Sequence, residues 1–131
     1  MIVDASAAVP VLVNHALTEQ ARSVLAGRDL SGPALILTET ANALWKYAIS
    51  GGMTAEQINA AIRQIHSIVH TVPDETIMAQ AVKLAVAHRH PVYACLYLAL
   101  ERRAPLATAD RRMAALAQQL LIPTELIEPD S

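Results

Sequence analysis

Short apolar runs alternate with longer stretches of helical period along this chain. Ile2-Val3 is a brief apolar run ending at Asp4. From Ser6 to Val13 and from Thr18 to Leu25 the apolar spacing predicts helices, the second stopped by Gly27. Pro33 to Leu37 is a compact apolar run that predicts a second strand, ending at Thr38-Glu39. Ala41, Leu44, Trp45 and Ala48 then recur with helical period until Gly51-Gly52. Thr54 with Gln57 reads as a capping box, opening a helix with Ile58, Ile62, Ile65 and Val69 on one face. His70 to Val72 predicts a short strand closed by Pro73. Asp74 is the expected cap of the next helix, with Ile77, Ala81, Leu84 and Ala85 inward. Pro91 breaks that pattern before a very apolar helix over Val92 to Arg103. Leu106 to Thr108 reads as a strand, Asp110 as the cap of a helix with Met113, Leu116 and Leu120 inward, and Pro123 to Ile127 as a last strand. Residues 129–131 read as a tail.

The resulting order is β-α-α-β-α-α-β-α-α-β-α-β. Neighbouring parallel strands need crossover connections, and here helices supply them, so the pattern implies an α/β fold with a mostly parallel sheet covered on both faces. The 131 residues suit a single domain over 1–131, with no repeat, linker or low-complexity stretch. A composition of 53% hydrophobic and 17% charged residues excludes intrinsic disorder.

Charge and cysteine usage narrow the function classes. Ten Lys and Arg against twelve Asp and Glu give a net charge of −2, which is not the footprint of a chain that grips nucleic acid through bulk charge. A nucleic-acid substrate would be met by a local patch or through metal ions. The single cysteine, Cys95, excludes an internal disulfide and favours a reducing compartment. The longest uncharged run, Ala5 to Thr18, falls short of the roughly 18–20 residues of a membrane span and contains Pro10, Asn14 and His15. No basic segment precedes the first apolar residues, so no signal peptide is expected and the cytoplasm is the expected location.

Three acids fall where ligands bind in open parallel sheets, outside the carboxyl ends of the strands. Asp4 follows the first strand, Glu39 follows the second at the start of its helix, and Asp110 follows the strand ending at Thr108. Clustered carboxylates repel one another, and a divalent cation removes that cost. An all-oxygen set without thiolates suits Mg²⁺ or Mn²⁺. Each acid also has an ordinary reading: Asp110 as a helix cap, Glu39 as a solvated first-turn residue favoured by the helix dipole. An Asp directly after a buried first strand is harder to explain that way, and the three together favour a site.

Several segments carry a family resemblance. They are Met-Ile-Val-Asp4-Ala-Ser6-Ala, Leu37-Thr38-Glu39-Thr40-Ala41-Asn42-Ala43-Leu44-Trp45-Lys46, His90-Pro91-Val92-Tyr93, Leu96-Tyr97-Leu98-Ala99-Leu100 and Leu106-Ala107-Thr108-Ala109-Asp110-Arg111-Arg112. Taken in order over nearly the whole chain, they resemble PIN-domain ribonucleases, and among these the VapC toxins of bacterial type II toxin–antitoxin systems. The resemblance implies a three-layer α/β/α sandwich with a short, mostly parallel sheet and about seven helices. It implies a metal-dependent endoribonuclease acting on structured RNA, such as tRNA or rRNA, with Mg²⁺ or Mn²⁺ held by Asp4, Glu39 and Asp110. Ser6 and Thr108, together with Asn42 one turn after the glutamate, match polar positions that orient such ligands. It also implies a homodimer and a hetero-oligomer with a VapB-like antitoxin whose C-terminal segment lies across the site. DNA would be reached only through that antitoxin.

The chain departs from the family pattern at one position. Members usually carry an aspartate directly after the His-Pro-Val-Tyr segment, and here Ala94 stands there. One acidic ligand of four is therefore missing, which implies weak or absent cleavage with folding and antitoxin binding retained. Either an inactivated form of an intact toxin or a natural degenerate member would carry this change. The rival to a nuclease is a catalytically silent PIN-like module that only docks an antitoxin. A phosphatase with a first-strand Asp-x-Asp would need Asp where Ser6 stands, and a phospho-receiver would need a late lysine that is absent.

The remaining candidates are weaker. Arg111 and Arg112 directly follow Asp110 and could meet phosphates, or be solvated helix residues like Arg102, Arg103 and Arg89. His66 and His70 stand at helical spacing but lack a third ligand, so zinc is not expected. Cys95 reads as core, since no base accompanies it. Trp45, Tyr47, Tyr93 and Tyr97 are the only large aromatics, too few for base stacking to be the expected mode.

Overall fold

The computed structural model describes residues 1–100 and 104–129. Strand β1 (Ile2–Val3) leads into helix α1 (Ala5–Leu12), followed by α2 (Thr18–Leu25) and β2 (Leu30–Pro33). Next come α3 (Leu35–Ile49), α4 (Ala55–Ile68), β3 (Val69–Val72) and α5 (Asp74–His88). The chain continues through α6 (Val92–Leu98), β4 (Leu106–Thr108), α7 (Arg111–Gln119) and β5 (Thr124–Leu126). All strand pairs are parallel, in the order β3-β2-β1-β4-β5. The α/β sheet and the seven helices expected from sequence are thus present among the described residues.

The order places a topological switch beside β1. The chain builds outward from β1 through β2 to β3, then returns to lay β4 against the other side of β1. Loops leaving the carboxyl ends of β1 and β4 diverge and leave a crevice between them, the usual ligand position in such sheets. Asp4 follows β1 and Asp110 follows β4, so both stand at this crevice.

Several boundaries differ from the sequence reading. The second strand lies at Leu30–Pro33, not over Pro33 to Leu37. Leu35, Ile36 and Leu37 instead open α3, where Ile36, Thr40 and Leu44 recur every four residues and are fully buried. A short apolar run does not distinguish a buried strand from the start of a buried helix. The true strand, Leu-Ser-Gly-Pro, is hidden because Ser31 and Gly32 carry no apolar signal. A Cβ at Gly32 would sit 3.2 Å from the Val3 carbonyl oxygen, so the β1–β2 approach suits glycine. Glu39 consequently lies in the second turn of α3 rather than at its start.

Asp74 is the first residue of α5 and does not cap it. Its Oδ1 instead accepts the Leu35 N–H at 3.0 Å, at the start of α3. Helix α4 ends at Ile68, so Val69 and His70 belong to β3, and His66 and His70 do not share a helix. Helix α6 ends at Leu98; Arg102 and Arg103 lie outside the described residues. The Thr54–Gln57 capping box is formed, and Gly27 and Gly51 take the left-handed conformation just beyond α2 and α3.

The core lies between the sheet and both helical layers. Val3, Ile36, Ile65, Leu98 and Leu106 are fully buried in one cluster, and Val9, Leu44 and Ala61 form a satellite between α1, α3 and α4. Burying each such Leu or Ile contributes about 1.5–3 kcal/mol. Among the described residues no helix is long and apolar enough to cross a membrane.

Candidate active site

Asp4 is buried, 4% exposed, where β1 gives way to α1, and it caps that helix. Its Oδ1 accepts the Ser6 hydroxyl at 2.6 Å and the Ala7 N–H at 3.1 Å, and its Oδ2 accepts the Thr108 hydroxyl at 2.5 Å. Ser6 Oγ accepts the Ala109 N–H at 2.8 Å, and Thr108 Oγ1 accepts the Asp110 N–H at 3.0 Å. Both hydroxyls donate to Asp4 and accept from the β4–α7 turn, so one carboxylate ties the two sides of the switch crevice together. Burial pushes the Asp4 carboxyl up to about 6; the Ser6, Thr108 and Ala7 bonds oppose this, and the charge of Asp110 adds to it.

Glu39 reaches the same place from α3 and is half-buried. Its Oε1 accepts the Tyr97 hydroxyl at 2.5 Å. Burial raises the Glu39 carboxyl, the Tyr97 bond lowers it, and the charges of Asp110 and Asp74 raise it further. Asp110 caps α7: its Oδ1 accepts the Arg112 and Met113 N–H groups at 2.9 and 3.2 Å. Capping and site placement are therefore compatible in one residue, since the cap occupies a single carboxylate oxygen.

Asp4, Glu39 and Asp110 line one small cleft of about 90 Å³, together with Ser6, Tyr93, Ala94, Tyr97 and Met113. Ala94, 5% exposed, forms part of the wall. Thr108 stands behind Asp4. Asn42 is exposed on α3 and lies outside the cleft lining. Arg111 and Arg112 are exposed and also lie outside it. The Arg111 side chain, 80% exposed, faces Glu128 at 3.7 Å, a surface pair of little energetic weight. Cys95 is buried, with its thiol pushed up by burial, as suits a core residue and not a nucleophile.

A larger groove of about 750 Å³ adjoins the cleft and shares Ala5, Ser6 and Glu39 with it. Val9, Pro10, Leu17, Ala43 and Tyr47 make it mainly apolar, with Lys46 and His15 on its lining.

The donor chemistry suits a hard divalent cation. The donors are carboxylate and hydroxyl oxygens, and the Asp4 and Glu39 carboxyls are raised chiefly by burial, with a smaller contribution from the charge of Asp110, so a cation beside them would favour their ionised forms. Among the described residues no three His, Cys, Asp or Glu side chains come close enough together to enclose an ion by themselves. A cation held here would keep much of its water shell, as Mg²⁺ commonly does.

Two contributors escaped the sequence reading. Tyr97 stood in a segment of the family resemblance and as an aromatic in an apolar helix, with no site role, although its place one turn after Ala94 puts both on the cleft side of α6. Asp74 was visible as a cap, but of the wrong helix.

Comparison with known proteins agrees with this architecture. The PIN domain family profile matches residues 1–119. The crystal structure of PAE2754 from Pyrobaculum aerophilum matches with a TM-score of 0.64 at 22% identity, over 92% of this chain and 85% of that one. At that identity the likeness speaks for the fold. No curated protein matches the chain.

Proposed function

Because this chain belongs to the PIN-domain family, and so carries a nuclease fold, we propose that it is a VapC-type toxin: a Mg²⁺- or Mn²⁺-dependent endoribonuclease for structured RNA, weakened by Ala94. The observation that carries this reading is the single cleft lined by Asp4, Glu39 and Asp110, with Ala94 in its wall. Asp4, Glu39 and Asp110 would hold the ion. A bound divalent cation supplies a water of lowered pKa and offsets charge developing on the scissile phosphate.

The residues divide the work by how they are held. Asp4 is fixed at both oxygens and serves as the anchor at the bottom of the crevice. Glu39 and Asp110 each have one oxygen committed to a donor within the protein, leaving Oε2 and Oδ2 for the cleft. Ala94 offers no oxygen where the family places an acid, so the cleft is one negative charge short.

An antitoxin of the VapB kind would lay an apolar segment in the adjoining groove and cover Glu39 and Ser6 at its end. Met78, Val82 and Val86, exposed at four-residue steps along α5, offer a face for a homodimer. Expression in the cytoplasm follows from the same reading.

A cleavage assay tests the proposal. The chain and its Ala94→Asp form are each given structured RNA with Mg²⁺ or Mn²⁺, with and without chelator. Cutting confined to the Asp form and abolished by chelator supports a nuclease weakened at one ligand. Metal-dependent cutting by the unsubstituted chain excludes the second reading, a silent module that docks an antitoxin. That second reading is favoured by Ala94 itself, and it predicts that both forms fail to cut while antitoxin binding is retained.

A further inference from the structure

We infer that Tyr97 is a positioning residue for Glu39: its hydroxyl fixes one carboxylate oxygen and thereby turns the other toward the cleft. The inference rests on reading the three acids as ligands of a divalent cation. Asp4 and Asp110 are held by their own helix ends, through the Ala7 N–H in one case and the Arg112 and Met113 N–H groups in the other. Glu39 has no such support. It lies within the body of α3, where backbone N–H groups are already spent on the helix, and its side chain turns about three bonds.

Tyr97 supplies what α3 cannot. It is 2% exposed on α6, flanked by the buried Leu96 and Leu98, so its ring has no freedom to swing. A phenylalanine would fill the same apolar volume, so packing does not account for the hydroxyl. A buried hydroxyl costs free energy unless it is bonded, and this one donates to Glu39 Oε1 at 2.5 Å. The bond runs from a rigid donor to a flexible acceptor, so it is the glutamate that is held. Partners of this kind fix ligand orientation in metal sites, and removing one weakens metal binding roughly 10–100-fold.

The test is a Mn²⁺ titration of the full chain and of three variants, Tyr97→Phe, Glu39→Ala and the double variant, read by electron paramagnetic resonance of free Mn²⁺. We expect Tyr97→Phe to weaken binding about 10-fold or more while circular dichroism and cooperative melting persist. In the Glu39→Ala background the same change should have little further effect on Mn²⁺ affinity, because the hydroxyl reaches the ion through Glu39 and its other contact, the Ala5 N–H, belongs to the start of α1. Unchanged Mn²⁺ affinity in a folded Tyr97→Phe, or a loss that persists without Glu39, would overturn the assignment and leave Tyr97 a packing residue. If the unsubstituted chain binds no Mn²⁺, the metal reading itself fails. The contact is then decided by the ¹³Cζ resonance of Tyr97. A shift on Glu39→Ala supports the bond, and an unmoved signal refutes it. The same resonance decides the matter should Tyr97→Phe not fold.

Discussion

Asp74 Oδ1 accepts the Leu35 N–H at 3.0 Å, joining the first residue of α5 to the first residue of α3. The helix bearing Glu39 has no side-chain cap of its own, so this bond from a distant segment satisfies one of its free N–H groups. Asp74→Ala should therefore destabilise the fold by about 0.5–2 kcal/mol, the usual cost of losing a cap. Chemical denaturation of the two forms measures it. Mn²⁺ affinity should fall as well, since the start of α3 sets where Glu39 stands one turn later.

Thr108→Val keeps the shape of the side chain and removes a donor to buried Asp4 Oδ2. The Asp110 N–H loses its acceptor in the same step. A loss of about 1–3 kcal/mol is expected, together with a higher Asp4 pKa, because that bond was holding it down. Thermal melting checks the first and a carboxyl ¹³C titration the second.

The metal-free protein should lose stability as pH rises from about 4 to about 6. Asp4 titrates near 3.8 when unfolded and about 6 when folded, so in that window the folded state holds a proton that the unfolded state has released. More protons bound in the folded state means stability falls with rising pH, by roughly 3 kcal/mol across the window for a shift of this size. Glu39 is raised as well and contributes in the same direction. Melting temperatures of the chain and of Asp4→Asn across this range would show the difference: the slope should flatten in the variant. Added Mn²⁺ at neutral pH should restore the stability lost by the unsubstituted chain.

Ala94→Asp places a further carboxylate in the wall of the cleft, beside three acids already there. Without metal the variant should be less stable than the parent by about 1–3 kcal/mol, the cost of an uncompensated buried polar group. With Mg²⁺ or Mn²⁺ the order should reverse, and chelator should undo the reversal. Melting curves with and without metal distinguish this from a variant that is merely damaged.

The legible parts of the site were the ones built locally. Asp4, Ser6 and Asp110 sit beside helix starts, where strand, acid and helix follow one another within a few residues, and the α/β order put them on one edge of the sheet. Glu39 was found but placed a turn too early, because Leu35 to Leu37 read equally as strand or helix and Ser31-Gly32 gave no strand signal. The Tyr97–Glu39 and Asp74–Leu35 bonds join residues 58 and 39 positions apart. Their partners are chosen by how α5 and α6 pack, which periodicity does not encode.

The network around Asp4 also dictates when the site comes into existence. Asp4 and Thr108 are 104 residues apart, and β1 pairs with both β2 and β4. Contacts of such long range form late, since their loops must close before they contribute. During synthesis the segment after β1 emerges long before β4 does, and until β4 arrives Asp4 has neither the Thr108 hydroxyl nor the neighbouring Asp110. A partly made chain can fold its local helices but cannot assemble the acid cleft. A nascent fragment of this protein therefore lacks the cleft altogether, and whatever the cleft does begins only when nearly all of the domain has left the ribosome.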